Sequence, residues 1–465
     1  MQTTERDKKM DYQYDLFVIG AGPGGYVPAL RAAAYGLKTA VAEKDFVGGT
    51  CLNRGCIPTK TLLHSAELYG EIKRAEEFGI STGETKISME ALKNRKIQVT
   101  EELRKGIEGA FKKAKITQIK GKAKITGEHE VTVDGEDGKV VYTADKILIS
   151  AGSEPVCLPI PGADLSGVLN SDGLLNRGEQ PFESLIIIGG GVIGMEFASL
   201  YQALGTKVIV LEALDKLLAT MDKEFGQSVK MLMKKRGVDI HTGAMVQRIE
   251  KTENGFACVY KEKEKEQTVE AEGILIAVGR KPCTDGLFEE QMGIQTERGR
   301  IVVNEHFQTS IPNIYAAGDV IGGIQLAHVA SAEGLHAVAH MAGKEEHVRL
   351  DLVPSCVYTN PEMASIGLTA DEAKKKEIPV KSVKYPMSAN GKSLLSRQER
   401  GFVKVVYHEE TRKVLGAQMM CARATDMISI FGTAIANELT VEDMKKNMYP
   451  HPTFSEGIGE ALELA

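Results

Sequence analysis

At 465 residues the chain is too long for one compact core, and two or three domains are expected. Hydrophobic residues at 43% and charged residues at 26% are an ordinary globular balance, while a formal charge of -6 with no long basic run argues against nucleic acid and anionic membrane as partners. Apolar runs such as residues 184–188 stop at glycines, too short for a membrane span, and seven scattered cysteines with one close pair argue against a secreted disulfide framework. A reducing, cytoplasmic compartment is expected, in which any disulfide would be functional.

Residues 1–11 read as a loose polar tail, with Met10 as an alternative start. The first organised feature is Asp15-Leu-Phe-Val-Ile-Gly20-Ala-Gly22-Pro-Gly-Gly25, an apolar strand running into a glycine turn. A helix is expected over residues 26–35, then a strand over 38–42 ending at Glu43. In this turn the first glycine makes the bend, the second lets backbone approach a pyrophosphate, and the third allows close helix packing. The helix N-terminus faces phosphate with its partial positive charge, and Glu43 is placed for ribose hydroxyls.

Next comes Gly48-Gly49-Thr50-Cys51-Leu-Asn-Arg-Gly-Cys56-Ile-Pro-Thr-Lys60. Four residues separate the cysteines, close enough for a bridge. As a structural staple, so short a loop contributes only about 2 kcal/mol. A zinc site lacks a second Cys or His pair at ligand spacing, so no metal is expected. Redox use is the favoured reading, with the other two left open.

Residues 66–115 have helical spacing, and residues 116–143 read as hairpin strands with turns at Asp134-Gly135 and Asp137-Gly138. The glycine turn then returns at Ser184-Leu-Ile-Ile-Ile-Gly189-Gly-Gly191-Val-Ile-Gly194, with a helix to Gly205 and a strand over 207–211 ending at Glu212. One offset of 169 superimposes Gly20, Gly22, Gly25, Gly36 and Glu43 on Gly189, Gly191, Gly194, Gly205 and Glu212. The chain therefore carries two dinucleotide-binding modules. A carboxylate at Glu212 repels the extra phosphate of NADP, so NAD is the expected ligand of the second.

Segments 144–155 and 271–282 are matching strands closed by glycine and proline, and are read as domain crossovers. From about residue 350, strands over 402–407 and 415–419 and a helix around 424–438 suggest a separate α+β domain. The expected division is 1–153 and 283–349 for the first module's domain, 154–282 for the second, and 350–465 for an interface domain.

The Cys51-x4-Cys56 block, the segment Thr309-Ser-Ile-Pro-Asn-Ile-Tyr-Ala-Ala-Gly-Asp319 and the block His451-Pro-Thr-Phe-Ser-Glu456 resemble those of the disulfide-flavoprotein pyridine-nucleotide reductases. Among these, the dihydrolipoamide dehydrogenase branch is most similar, from about residue 14 to the C-terminus; the segment Met387-Ser-Ala-Asn-Gly391 also resembles it. Ile193 stands where glutathione reductases carry a tyrosine, no arginine cluster follows Val210, and no cysteine pair ends the chain, which disfavours neighbouring branches.

This resemblance implies an α/β fold with two Rossmann-like dinucleotide-binding domains and a C-terminal α+β dimerisation domain. It implies FAD in the first module, at Gly20, Gly22, Gly25, Glu43, Gly49, Thr50, Lys60, Gly152, Asp319 and Ala327, with Asp319 on the ribityl chain. NAD would be held by Gly189, Gly191, Gly194, Glu212 and Gly279. Cys51 would exchange with substrate and Cys56 contact the flavin. Lys60 and Glu196 match an ion pair near the flavin ring, and His451 with Glu456 would act on the other subunit's disulfide in a homodimer. Implied partners are the lipoyl-bearing acyltransferase of a 2-oxoacid dehydrogenase complex or a glycine-cleavage carrier protein. Alternatives are an NADH-dependent reductase of another disulfide or metal substrate, or a noncatalytic flavin-bearing scaffold. Two departures stand out: Arg54 between the cysteines, and Pro28, read as falling in the first turn of its helix. Cys157, Cys258, Cys283, Cys356 and Cys421 read as buried or inert.

Overall fold

The computed structural model describes residues 11–177, 181–398 and 400–465; the tail at residues 1–11, apart from Asp11, lies outside the described residues. The chain divides into two compact units. One contains Met1–Pro58, Ile97–Pro155 and Arg280–Leu350, and the other Thr59–Lys96, Val156–Gly279 and Asp351–Ala465.

The first unit is built on parallel strands in the spatial order Thr117–Lys120, Thr39–Glu43, Tyr14–Ile19, Gly138–Ile149, Ile314–Ala316. Tyr14–Ile19, Thr39–Glu43, residues 147–149 and Ile314–Ala316 are largely apolar and buried because both faces are covered, whereas the edge strand Thr117–Lys120 is mostly exposed. Phe17 and Ile19 enter one core with Ile147 and Ile149, while Leu16 and Val18 enter another with Leu148 and Phe111. Strands Lys122–Gly127 and Glu130–Gly135 extend the sheet as antiparallel hairpins. Here the sequence expectation is corrected. There is one two-residue turn, Glu136-Asp137, closed by Gly135 paired to Gly138, since the single residue between the two Asp-Gly pairs leaves no room for two turns. The other turn falls at Glu128-His129, between Gly127 and Glu130, where the sequence has no Asp-Gly pair.

The second unit repeats the plan: parallel strands in the order Asp239–Thr242, Lys207–Glu212, Ser184–Ile188, Gly273–Ile276, Val168–Leu169, with an antiparallel meander over Ala244–Thr252, Gly255–Glu262 and Lys265–Ala271. Its C-terminal part is a five-stranded antiparallel sheet, ordered Ser355–Val357, Glu362–Gly367, Val414–Cys421, Phe402–His408, Val380–Pro386. Helix Ala424–Ala436 packs Met427, Ile428 and Phe431 against that sheet's core. The α/β class with two Rossmann-like modules and an α+β tail is as expected. The two crossovers pair with each other, Ser153–Pro155 antiparallel to Arg280–Pro282. Among the described residues no helix is long and apolar enough to cross a membrane.

Pro28 requires a second correction. The first helix is Pro23–Ala34, with Pro23 in its first turn, so Pro28 sits a full turn further in. Pro28 brings no N–H to the Gly24 carbonyl, and helix Ala327–Met341 approaches closely there through Gly334. A Cβ on Gly334 would lie 2.7 Å from Pro28 Cγ and 2.9 Å from Gly24 O. Gly334→Ala is therefore expected to destabilise by about 1–3 kcal/mol despite alanine's better helix propensity. Thermal unfolding checks this; an unchanged or raised Tm would contradict it.

Candidate active site

The two glycine turns have the same construction. A Cβ on Gly25 would lie 1.9 Å from Gly20 O, and one on Gly194 would lie 1.9 Å from Gly189 O, so neither position admits a side chain. Gly22 and Gly191 are the N-caps of helices Pro23–Ala34 and Val192–Ala203, and neither first turn carries an acidic residue. Both helix N-termini thus keep their positive end for an anion. Glu43 accepts from Ala21 N and Asp45 N, both at 2.8 Å. Glu212 accepts from Gly190 N at 2.5 Å and Leu214 N at 2.7 Å, the same two bonds under the offset of 169. These residues fit a dinucleotide: each carboxylate is held at the end of its second strand with lone pairs to spare for hydroxyls. Gly279, at φ +117°, follows the fourth strand of the second module.

In the first unit the cysteine segment begins at the glycine turn. Gly48 N donates to Ala21 O at 2.7 Å, and a Cβ on Gly49 would lie 2.6 Å from the Cα of Gly22. Thr50 and Cys51 lie on helix Gly49–Arg54, which Asn53 Nδ2 ties back to Val47 O and Gly49 O, both at 2.9 Å. Arg54 donates to Asp45 at 2.9 Å, which gives this departure a place in the segment's scaffold. At Gly55 the chain folds back, its Cβ position only 3.4 Å from the Cα of Cys51, and Cys56 opens helix Cys56–Lys73. The break at Gly55 separates the helix that carries Cys51 from the one that Cys56 opens. Cys51 is half-buried and Cys56 exposed. Burial, with a contribution from Cys51, raises the Tyr26 phenol.

Asp319 stands at the end of the segment after strand Ile314–Ala316. Ser153 Oγ donates to it at 2.5 Å, and Arg280 in turn donates to Ser153 Oγ at 2.8 Å and Ser153 O at 2.6 Å. Gly152, at φ +74°, adjoins this group, and Ala327 opens helix Ala327–Met341. Ser153 and Arg280 carry no motif of their own, and the sequence reading passed over both.

In the second unit Lys60 Nζ donates to Glu196 at 2.7 and 2.9 Å. The Glu196 side chain is 4% exposed, receives Tyr358 N at 3.1 Å, and the ammonium lies 4.7 Å from the Tyr358 ring centroid. Glu196 is thus buried and Lys60 half-buried against it, not a surface lysine and a solvated glutamate. Lys60→Met would strand a buried carboxylate and is expected to cost about 3 kcal/mol, most of it recovered in a Lys60→Met/Glu196→Leu double variant. Urea unfolding of both variants decides; equal stabilities would overturn this account.

His451 Nδ1 meets Glu456 Oε1 at 2.8 Å, and Glu456 Oε2 accepts from Thr453 N at 2.8 Å. These bonds, the backbone one first, hold the Glu456 carboxyl below its ordinary range. As an ionised acceptor it fixes the proton on Nδ1 and leaves the Nε2 lone pair outward on a ring 78% exposed. The Met387–Gly391 segment supports this loop. Asn390, 3% exposed, donates to Thr453 O at 3.0 Å, and Gly457 packs where a Cβ would meet Met387 Sδ at 2.6 Å.

Of the remaining thiols, burial pushes Cys258 and Cys421 up to about 12 and Cys356 up to about 11, which disfavours their thiolates. Cys283 is also raised by burial, whereas Cys157 is exposed, not buried.

Known proteins resemble the chain over most of its length. Residues 14–334 match the family model described as pyridine nucleotide-disulphide oxidoreductase, and residues 353–462 match that family's dimerisation domain. The chain belongs to this family. A Bacillus subtilis relative named dihydrolipoyl dehydrogenase is 42% identical over 465 residues, covering 97% of this chain and 98% of its own. Among solved structures, LpdA from Mycobacterium tuberculosis superimposes with a TM-score of 0.90 at 28% identity, covering 97% of this chain and 99% of its own. The HOCl-induced flavoprotein disulfide reductase RclA from Escherichia coli gives 0.86 at 30%, covering 97% and 100%. His451, Glu456 and Asn390 all lie within the residues that match the dimerisation domain.

Proposed function

We propose that the protein is a dihydrolipoyl dehydrogenase, oxidising dihydrolipoyl thiols at a Cys51–Cys56 disulfide with NAD as final acceptor. The observation that carries this reading is the oriented His451–Glu456 pair, because thiol attack is faster from the thiolate and a positioned base generates it. One substrate sulfur attacks Cys51 Sγ, the Cys51–Cys56 bond breaks, and Cys56 leaves as a thiolate. The second substrate sulfur then attacks the mixed disulfide, closing the lipoyl ring and releasing the Cys51 sulfur, while His451 Nε2 takes up a proton. FAD, when bound, carries the two electrons from the enzyme dithiol to NAD as a hydride.

In this reading Gly20, Gly22, Gly25, Glu43, Gly49, Thr50, Lys60, Gly152, Asp319 and Ala327 hold FAD. Gly189, Gly191, Gly194, Glu212 and Gly279 hold NAD, and the Lys60–Glu196 pair sets the charge near the flavin ring. A homodimer lets His451 of one subunit serve the other's cysteines. The partner is a lipoyl-bearing acyltransferase of a 2-oxoacid dehydrogenase complex or a glycine-cleavage carrier protein, in the cytoplasm. Two assays on the purified, flavin-loaded protein separate this from reduction of another disulfide: NAD reduction by dihydrolipoamide, and NADH oxidation by oxidised glutathione. The first is expected to be fast and the second negligible; the reverse pattern would sink the lipoyl assignment.

A further inference from the structure

Helix Ala327–Met341 presses on the Gly318–Asp319 turn at two points. Gly318 is at φ +80°, and a Cβ there would come 3.0 Å from Ala330 Cβ. One turn further along, Glu333 Oε2 accepts a hydrogen bond from Gly318 N at 2.7 Å. The neighbouring Asp319 has a separate anchor, Ser153 Oγ, itself held by Arg280. We propose that Glu333 is a positioning residue for the flavin, fixing the Asp319-bearing turn through the Gly318 N–H, and that its ionisation governs how tightly the first module holds FAD. The inference rests on FAD being the ligand of that module.

The physical argument concerns two carboxyls that share one turn. Asp319 is linked through Ser153 to the Arg280 guanidinium, whereas Glu333 accepts from the uncharged Gly318 N–H. Burial pushes Glu333 up to about 7, the Gly318 N–H opposes this, and the Asp319 charge adds to the rise. Other charged and titratable groups around the helix are engaged elsewhere. Arg31 on helix Pro23–Ala34 pairs with Glu346 at 3.0 Å, Tyr315 on strand Ile314–Ala316 bonds His340, and His336 bonds Val348 O. His328 lies more than one helical turn from Glu333 on the same helix, and the Tyr26 phenol is raised by burial. Below neutrality Glu333 is a neutral carboxyl that still accepts from Gly318. Above it, a second negative charge stands beside Asp319, on a turn that must receive an anionic dinucleotide.

The sign follows from linkage. Binding an anion raises the Glu333 pKa further, so FAD affinity is level below about pH 7 and falls as pH rises above it. A one-unit rise on binding corresponds to about a tenfold loss of affinity across that window. The test is titration of the flavin-stripped full-length protein with FAD from pH 6 to 9, read by FAD fluorescence. Wild type is expected to weaken about tenfold over this range. Glu333→Gln is expected to stay near the wild-type pH 6 value throughout. Ser153→Ala, which detaches Asp319 from Arg280, is expected to weaken FAD at every pH while keeping the slope, as a purely structural defect would. A flat wild-type profile, or Glu333→Gln with an unaltered slope, overturns the proposal. No FAD uptake by wild type at any pH overturns the flavin assignment together with it.

Discussion

Cys56→Ser is expected to lower NAD reduction by dihydrolipoamide at least about a thousandfold, because an alcohol can neither form the disulfide nor leave as a stable anion. Cys51→Ser should lose as much, and the double variant no more, since the two sulfurs act as one unit and their losses do not add. The folded frame should persist in all three. Segment Gly48–Cys56 is held by Gly48 N to Ala21 O, by Asn53 to Val47 O and Gly49 O, and by Arg54 to Asp45, none of which uses sulfur. Reduction of an artificial electron acceptor by NADH needs the two nucleotide modules but not the cysteines, and should stay within a few-fold of wild type. Measuring both rates on each variant separates lost disulfide chemistry from lost cofactor. If either single variant retained dihydrolipoamide turnover within tenfold of wild type, the disulfide would not be the entry point for electrons.

Much of this frame was legible in the sequence, for a definite reason. A turn in which Gly25 or Gly194 comes 1.9 Å from a carbonyl at its Cβ position tolerates one residue type, so the motif is written directly in glycines. The carboxylates at Glu43 and Glu212 likewise close their turns at fixed spacing, which made the offset of 169 visible before any coordinates. Local competition was harder to read. Pro23 starts the first helix earlier than the apolar pattern suggests, which moved Pro28 from a harmless first-turn position into the helix body. Two neighbouring Asp-Gly pairs implied two turns where sterics permit one. Least legible were the supports. Ser153 with Asp319, Asn390 with Thr453, and Glu333 with Gly318 join residues from 15 to 166 positions apart. Such contacts leave no periodicity in the chain, and single polar residues satisfy them. The resemblance to a known family supplied the roles proposed for His451 and Lys60; spacing alone left both open.

His451→Gln carries the second large effect. Glutamine can still offer an N–H toward Glu456 but has no lone pair on nitrogen to receive a thiol proton. The expected loss in kcat/KM for dihydrolipoamide is about a thousandfold, within the range a positioned general base contributes. Glu456→Gln keeps the imidazole but removes the ionised acceptor that fixes the proton on Nδ1, and should cost roughly tenfold to a hundredfold. Asn390→Ala, which frees the Thr453 carbonyl from its buried anchor, should fall between wild type and Glu456→Gln. A kinetic split separates base from scaffold. His451→Gln should lower kcat far more than it raises KM, and added imidazole should restore part of the rate, while NADH reduction of an artificial acceptor stays intact. A loss confined to KM would instead make His451 a binding residue and place the base elsewhere. The geometry favours the first outcome: a ring tied at Nδ1 to a carboxylate held below its ordinary range, with the opposite nitrogen exposed, is oriented to take a proton.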